Sequence, residues 1–181
     1  MSDPGRILVI APNWLGDAVM ALPAVADVRR RFAGARLVVA ARRSVAPLFD
    51  MVPGVDEVIT LGWGGQPLRR AALRADVDRL TAERADVAIL LPNSFGTAWL
   101  VSRAGVPERW GYGTDLRRPL LTRRARRPRG SVHQGRYYQH LVTQFGVDAG
   151  PLEPALTVPA AARDAARTPR LAPWPQPAAC H

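Results

Sequence analysis

The chain has 181 residues, of which 48% are hydrophobic, and this suits one globular domain with a substantial core. Its one cysteine, Cys180, excludes an internal disulfide framework and a cysteine-based metal site, as in a reducing cytoplasm. The sequence shows no apolar run long enough to span a bilayer and no signal-peptide pattern. The formal charge of +10, in which every basic residue is arginine, favours anionic partners.

The first predicted unit, Arg6–Val25, is a strand followed by a loop and a helix. Ile7–Ile10 is a short, continuous apolar run, typical of a strand that is buried on both faces of a parallel sheet. The loop Pro12–Gly16 follows, and a helical pattern of apolar residues begins at Asp17. Because ligands of open α/β sheets bind at the carboxyl ends of strands, Asp17 is an acid in a ligand-binding position.

The loop before Asp17 has neither the G-x-G-x-x-G pattern nor the P-loop pattern of nucleotide-binding loops. Two interpretations of Asp17 are open and mutually compatible. In the first, the carboxylate caps the helix N-terminus, where an acid also complements the helix dipole. In the second, it is a general base that takes a proton from an incoming hydroxyl.

The rest of the chain alternates predicted strands and helices, which indicates a doubly wound parallel α/β sheet. The further predicted strands are Ala35–Ala41, Glu57–Leu61, Asp86–Leu91 and Arg109–Gly113. The further predicted helices are Val45–Met51, Gln66–Arg84, Gly96–Ala104, which Gly105 ends, and Ser131–Phe145. The arginine-rich stretch between the last strand and the last helix is predicted to be a solvated loop.

The composition changes after Gly146. Leu152–Val158 is typical of a linker, and residues 159–181 are rich in Ala, Pro and Arg without periodicity. Such a segment buries too little apolar surface to offset the entropy of ordering. We therefore expect a Rossmann-like domain over residues 1–158 and a disordered tail over residues 159–181.

Three segments, in the same order, resemble one protein family. They are Ile7–Pro23 with N-W-L-G-D, Leu90–Phe95 with L-L-P-N-S-F, and His133–Tyr138 with H-Q-G-R-Y-Y. Together they resemble the amino-terminal half of the lipopolysaccharide heptosyltransferases, glycosyltransferase family 9. Within that family, L-P-N-S-F and the later G-V-P-E-R-W-G-Y are most similar to heptosyltransferase II.

The resemblance implies a GT-B enzyme with two Rossmann-like domains at the cytosolic face of the inner membrane, in peripheral contact with it. The amino-terminal domain would hold an inner-core glycolipid acceptor, and the carboxyl-terminal domain the donor, ADP-L-glycero-D-manno-heptose. The implied reaction inverts the anomeric centre without a metal or a cofactor, and Asp17 falls on the position of its base. This chain ends where the donor-binding domain is expected to begin, so we expect a truncated form that lacks it.

Further candidate residues lie in the two loops that carry the family motifs. Asn13 and Trp14 are expected to orient the acceptor sugar; the alternatives are turn formation by Asn13 and core packing by Trp14. Asn93 and Ser94 are expected to contact the acceptor from the end of the fourth strand. Their alternative role is N-capping of the next helix.

The densest basic tract contains seven arginines, at positions 117, 118, 123, 124, 126, 127 and 129. Arginine forks suit carboxylates and phosphates, and the alternative is a solvated loop. The resemblance implies acceptor contacts for Arg117 and His133, whereas a lone histidine there is more often a surface residue at a helix start. Tyr137 and Tyr138 have the spacing of core residues.

Two other functions compete with glycosyl transfer. One is a non-catalytic module that binds acidic glycolipid, or an inactive fragment. The other is nucleic-acid binding through the arginine tract. The tract has no interleaved aromatic residues and the chain has no helix-turn-helix pattern, so we expect no nucleic-acid partner.

Overall fold

The computed structural model describes residues 3–63, 70–153, 156–160 and 163–164. Six parallel strands form one sheet in the order β3-β2-β1-β4-β5-β6. The strands are β1 (Arg6–Ile10), β2 (Arg36–Arg42), β3 (Glu57–Leu61), β4 (Val87–Leu90), β5 (Glu108–Tyr112) and β6 (Arg123–Ala125). The helices are α1 (Leu15–Arg31), α2 (Ala46–Phe49), α3 (Arg70–Ala82), α4 (Phe95–Arg103) and α5 (Gln134–Thr143). The predicted doubly wound parallel sheet is confirmed.

Helices cover both faces of the sheet, so the central strands are apolar on both sides. On one face, Ile7 and Val9 of β1 pack against α1, α2 and α5. On the other face, Leu8 and Ile10 pack against α3 and α4. Burial of alternate residues on opposite faces explains why β1 is a continuous apolar run rather than an alternating one.

The sheet ends at β6, a strand of three residues that pairs with β5 from Trp110 to Tyr112. The sequence pattern did not predict this strand, because two of its three residues are arginines. A short, charged strand is typical of a sheet edge, where it discourages pairing with another chain. A 3-10 helix, Arg118–Leu120, lies just before β6 and was not predicted either.

Other element boundaries shift by a few residues from the prediction. Helix α1 begins at Leu15, so Asp17 lies inside its first turn. Helix α4 ends at Arg103, one residue before the predicted end, and Gly105, two residues later, is left-handed with φ 74°. The expected disordered tail lies almost wholly outside the described residues.

A buried polar contact joins α1 to the segment that follows α5, and we call it the Asp27 tie. The carboxylate of Asp27 is 1% exposed and accepts hydrogen bonds from Gln139 Nε2 (2.9 Å) and from the Gly150 amide (3.1 Å). Arg30 of the same helix donates to Asp27 at 2.8 Å and to the Asp148 carbonyl at 3.0 Å. The tie therefore fixes the chain near Gly150 against α1.

Among the described residues, no helix combines the length and the apolar character that a membrane crossing requires.

Candidate functional site

The candidate site lies at the carboxyl edge of the sheet, in the crevice between the loops after β1 and β4. These two strands are neighbours, but their loops lead to helices on opposite faces, so the loops diverge. Such a divergence point is the usual ligand-binding position of open α/β sheets. Asn13 from the first loop and Ser94 from the second line the same small cavity, of about 50 Å³. The structure thus brings the two predicted site segments together.

Asp17 lies in the first turn of α1 and is partly exposed. Its carboxylate makes no hydrogen bond or ion pair with any residue that the structure describes, and no backbone N–H of the turn donates to it. The capping interpretation is therefore not what the structure shows. The carboxylate sits at the positive end of the helix dipole and keeps its capacity to accept a proton from a bound hydroxyl.

Trp14, the residue before α1, is 77% exposed. The alternative that its indole fills the core is wrong, because the residue is mostly exposed to solvent. An exposed indole three residues before Asp17 offers a flat apolar surface for a sugar ring. Asn13, the residue before it, is partly exposed.

Arg117 is fully buried, and its guanidinium binds the loop after β4 from behind. Its Nη2 donates to Asn93 Oδ1 (3.1 Å), its Nη1 donates to the Pro92 carbonyl, and its Nε donates to the Tyr112 carbonyl (2.9 Å). Gly111 permits this approach, since a Cβ atom there would lie 3.1 Å from Nη2. In this structure Arg117 positions Asn93, while the acceptor contact implied by the resemblance stays a prediction.

Burial lowers the pKa of the Arg117 guanidinium from 12.5 to about 10, because the charged form loses hydration. The nearby carboxylate of Asp115 opposes this shift. The group therefore stays protonated at neutral pH, and its N–H donors face fixed oxygen acceptors. A buried charge held in this way locks the loop that carries Asn93.

Tyr137 is the site residue that the sequence analysis missed. Its hydroxyl oxygen accepts hydrogen bonds from Asn93 Nδ2 (2.7 Å) and Arg127 Nε (3.0 Å), and its ring packs on Tyr112 at 4.6 Å between centroids. It lines a cavity of about 430 Å³ together with Asn93, Arg127 and Gln134. Because the oxygen already accepts two hydrogen bonds, its own O–H remains free to donate to a ligand. Helical spacing alone had suggested a core residue.

Two candidate residues act as helix caps. Ser94 Oγ accepts from the Thr97 amide at 3.2 Å and is the N-cap of α4. His133 is the N-cap of α5, where its Nδ1 accepts from the Gly135 amide at 3.2 Å. N-capping is the alternative role considered for Ser94, and a surface position at a helix start is the one considered for His133. Both side chains are exposed, so their acceptor contacts stay predictions.

Helices α1 and α5 pack together, so the start of α5 lies beside the turn that holds Asp17. A Cβ atom at Gly135 would lie 3.3 Å from the Met20 carbonyl. Burial, with a smaller contribution from the charge of Asp17, raises the pKa of Tyr138 to about 12. Tyr138 is a core residue, as its spacing predicted.

Five other arginines of the tract fall into two groups. Arg123 stacks on Trp110, 4.8 Å from the ring centroid, and Arg127 lies over the ring of Tyr137. Arg118, Arg124 and Arg126 are exposed side chains without a hydrogen bond or ion pair to the described part of the chain. The prediction of a solvated loop is wrong for Arg123–Ala125, which forms β6, although Arg124 in that strand is exposed to solvent.

Within the described segments, no group of three or more His, Cys, Asp or Glu side chains is placed to hold a metal ion. The expectation of a reaction without metal or cofactor stays a prediction.

Comparison with known proteins identifies the family. The family model described as glycosyltransferase family 9 (heptosyltransferase) matches residues 74–181. The chain belongs to glycosyltransferase family 9. It is 34% identical over 116 residues to lipopolysaccharide heptosyltransferase 2 of Escherichia coli, an alignment that covers 64% of this chain and 33% of that protein. The curated relatives that it matches are thus about three times as long as the aligned region.

Solved structures of this family share the fold. A family 9 glycosyl transferase from Veillonella parvula superposes with a TM-score of 0.72 at 23% identity, covering 80% of this chain and 42% of that one. The E. coli ADP-heptose lps heptosyltransferase II superposes with a TM-score of 0.64 at 28% identity, covering 86% and 47%. The predicted family and the predicted Rossmann-like half of a GT-B glycosyltransferase are confirmed.

Proposed function

We propose that this chain binds the inner-core glycolipid of lipopolysaccharide and supports transfer of L-glycero-D-manno-heptose to it from ADP-heptose, with Asp17 as the base. The observation that carries the proposal is the unpaired Asp17 carboxylate at the loop-divergence point of a family 9 fold. A carboxylate without an internal partner, at the edge where ligands bind, is available for chemistry.

In the proposed reaction, the acceptor hydroxyl gives its proton to Asp17 as its oxygen forms a bond to the anomeric carbon of the heptose. The bond from that carbon to the diphosphate oxygen breaks, and ADP leaves with the electron pair. One displacement of this kind inverts the anomeric centre and requires one base, not a second carboxylate as nucleophile. Charge on the leaving diphosphate would be stabilised by groups that the family resemblance assigns mainly to a second domain.

The acceptor-holding groups would come from three elements. Trp14 offers a ring for sugar stacking, Asn13 a side-chain amide, and Tyr137 a hydroxyl that Asn93 orients. His133 and Ser94 would contribute from the helix starts. All of them come from loops or helix starts at the carboxyl edge of the sheet, so a sugar bound at that edge would meet polar groups and one exposed indole.

Peripheral contact with the cytosolic face of the inner membrane is part of the proposal. Several exposed apolar side chains come from loops or first turns at the carboxyl edge: Trp14, Leu15, Phe95, Leu116 and Val132. Three exposed arginines, Arg118, Arg124 and Arg126, follow Leu116 in the chain. This combination suits a surface that meets anionic lipid headgroups, where the glycolipid acceptor is presented.

The test is a transfer assay with this chain, labelled ADP-heptose and a heptosyl-Kdo-lipid acceptor, with acceptor binding measured in parallel. Asp17→Asn should lower transfer by about 100-fold or more and change acceptor binding by less than a few-fold, because it removes only the base. Asp78→Asn, an exposed acid on α3, is the control with the same charge change.

The outcomes separate the candidate functions. Transfer that survives Asp17→Asn would show that another group is the base. Acceptor binding without any transfer by the unchanged chain would favour the non-catalytic glycolipid-binding module, to which the unpaired arginines are also suited. Absence of both would refute the proposal for this chain.

A further inference from the structure

A second cavity, of about 530 Å³, opens at the carboxyl ends of β5 and β6, and we call it the basic cavity. It is lined by Gly113, Thr114, Arg118, Arg124, Ala125, Arg126 and Arg127. No acidic residue is among these lining residues, and four of the seven are arginines. The family motifs do not include it, and the proposed transfer step makes no use of it.

Three of the four arginines have no internal partner. Arg118, Arg124 and Arg126 make no hydrogen bond or ion pair with the described residues. Elsewhere in the chain arginines do find acids, as in the pairs Arg29–Asp56 (3.2 Å) and Arg31–Asp3 (3.1 Å). Cations that converge without compensation raise the local positive potential and attract a multiply charged anion.

Thr114 adds an independent observation. Its hydroxyl oxygen is buried and has no hydrogen-bond partner, alone among the buried side-chain polar atoms that the structure describes. The next two residues, Asp115 and Leu116, are both left-handed, with φ values of 51° and 57°, which is strained for residues other than glycine. A buried unpaired hydroxyl beside strained backbone requires an explanation, and a bound ligand supplies one.

We propose that the basic cavity binds a phosphomonoester carried by a sugar of the acceptor, an inference that rests on the proposed function. Three arginine forks and one hydroxyl match the three terminal oxygens of a phosphate better than the two of a carboxylate. The cavity is also much larger than one phosphate group, which leaves space for the sugar that carries it.

Arg127 connects this cavity to the crevice. It lines the basic cavity and also donates through Nε to Tyr137, which lines the cavity beside Asn93. A phosphorylated sugar in the basic cavity would therefore be a close neighbour of the sugar in the crevice. The basic cavity would thus select acceptors by a phosphate that does not itself react.

The test measures binding to the 181-residue chain by calorimetry, with mannose 6-phosphate, mannose and inorganic phosphate as probes. Mannose 6-phosphate should bind at least ten-fold more tightly than either of the others. The double variant Arg124→Gln/Arg126→Gln should weaken its binding by about 30-fold or more, since two charge-assisted contacts are lost. Arg70→Gln/Arg74→Gln on α3, with the same change in charge, should weaken it by less than two-fold.

Thr114→Val guards against a folding defect. Its buried hydroxyl has no internal partner, so the isosteric change should leave the urea midpoint unchanged or raise it, while binding of mannose 6-phosphate falls several-fold. Unchanged binding in Thr114→Val together with equal losses in the two arginine double variants would overturn the proposal. So would equal affinities for mannose 6-phosphate and inorganic phosphate, which would indicate a site for the free ion.

Vesicles of phosphatidylcholine with phosphatidylglycerol distinguish a lipid headgroup from a sugar phosphate. If the 124/126 double variant loses vesicle binding while mannose 6-phosphate never binds, the basic cavity is a membrane contact and the proposal is wrong. The Asp17→Asn variant should bind mannose 6-phosphate as the unchanged chain does. A result that refutes Asp17 as the base would therefore leave the phosphate-binding inference intact, and a result that refutes phosphate binding would leave the assignment of Asp17 intact.

Discussion

Replacement of Arg117 by alanine should destabilise the domain by about 3 kcal/mol. The guanidinium makes three hydrogen bonds to the described chain, and one intramolecular hydrogen bond contributes about 1 kcal/mol after the cost of desolvation, which gives about 3 kcal/mol. Burial lowers the pKa of the guanidinium to about 10, so the charge is costly to bury. Each bond is therefore counted at the value for neutral partners and not at the higher value for charged ones.

The assay is urea denaturation at pH 7 and 25 °C, with the midpoint and the slope compared between variants. Arg117→Lys keeps the charge, but its single ammonium cannot reach all three acceptors. Its free energy of unfolding should therefore lie between that of the unchanged chain and that of Arg117→Ala. Arg118→Ala is the matched control, because the neighbouring side chain is exposed and has no internal partner; its effect should stay within about 0.5 kcal/mol.

If Arg117→Ala unfolds at the same urea concentration as Arg118→Ala, the three hydrogen bonds of Arg117 do not stabilise the domain. A second readout concerns the site: loss of Arg117 leaves Asn93 Oδ1 and the Pro92 carbonyl without their donor. Acceptor binding by Arg117→Ala should therefore weaken even at temperatures where the variant stays folded. Unaltered binding would show that the loop keeps its shape without this anchor.

Three further predictions concern residues of the core and the surface. The pKa of Tyr138 is raised to about 12, so the contribution of its neutral hydroxyl to the free energy of unfolding is present below pH 10 and is lost as the pH rises from 10 to 12. The free energy of unfolding of Tyr138→Phe should therefore fall by about 1 kcal/mol less than that of the unchanged chain between pH 9 and pH 11, as measured by urea denaturation. Trp14→Ala should leave the urea midpoint almost unchanged and weaken acceptor binding, whereas Trp110→Ala, at a buried position, should cost about 3–5 kcal/mol. Asp27→Ala should cost roughly 2–4 kcal/mol and speed proteolysis near Gly150, and an unchanged cleavage rate there would contradict the Asp27 tie.

Hydrophobic periodicity was enough to predict the sheet and its central strands, since β1 and β4 are apolar runs bounded by turn residues. Hydrophobic periodicity did not predict the strand at the edge of the sheet. Strand β6 reads Arg-Arg-Ala and owes its conformation to pairing with β5, a tertiary contact without a local signature. The same limit applies to Gly111, whose role is visible only because the Arg117 guanidinium lies against it.

The candidate site was partly predictable, because loops after neighbouring parallel strands meet at one edge. This rule predicts that Asp17, Asn13 and Asn93 share the carboxyl edge of the sheet. It did not distinguish Arg117, which lies buried behind Asn93, from the exposed arginines of the same tract. Tyr137 was not predicted as a site residue because its helical spacing is that of a core residue. Its ring does pack against the core, and only its hydroxyl reaches Asn93 in the crevice.

The Asp27 tie determines how any segment attached after Gly150 is mounted on the domain. Asp27 lies ten residues after Asp17 on one helix, which at 1.5 Å per residue separates them by about 15 Å. Helix α1 thus carries both the proposed base and the carboxylate that binds the chain at Gly150. A second contact, from the Thr157 amide to the Met51 carbonyl at 2.8 Å, holds the chain again seven residues later. A following segment would therefore leave the domain from a fixed place, and its reach toward the crevice would depend on its own length and fold.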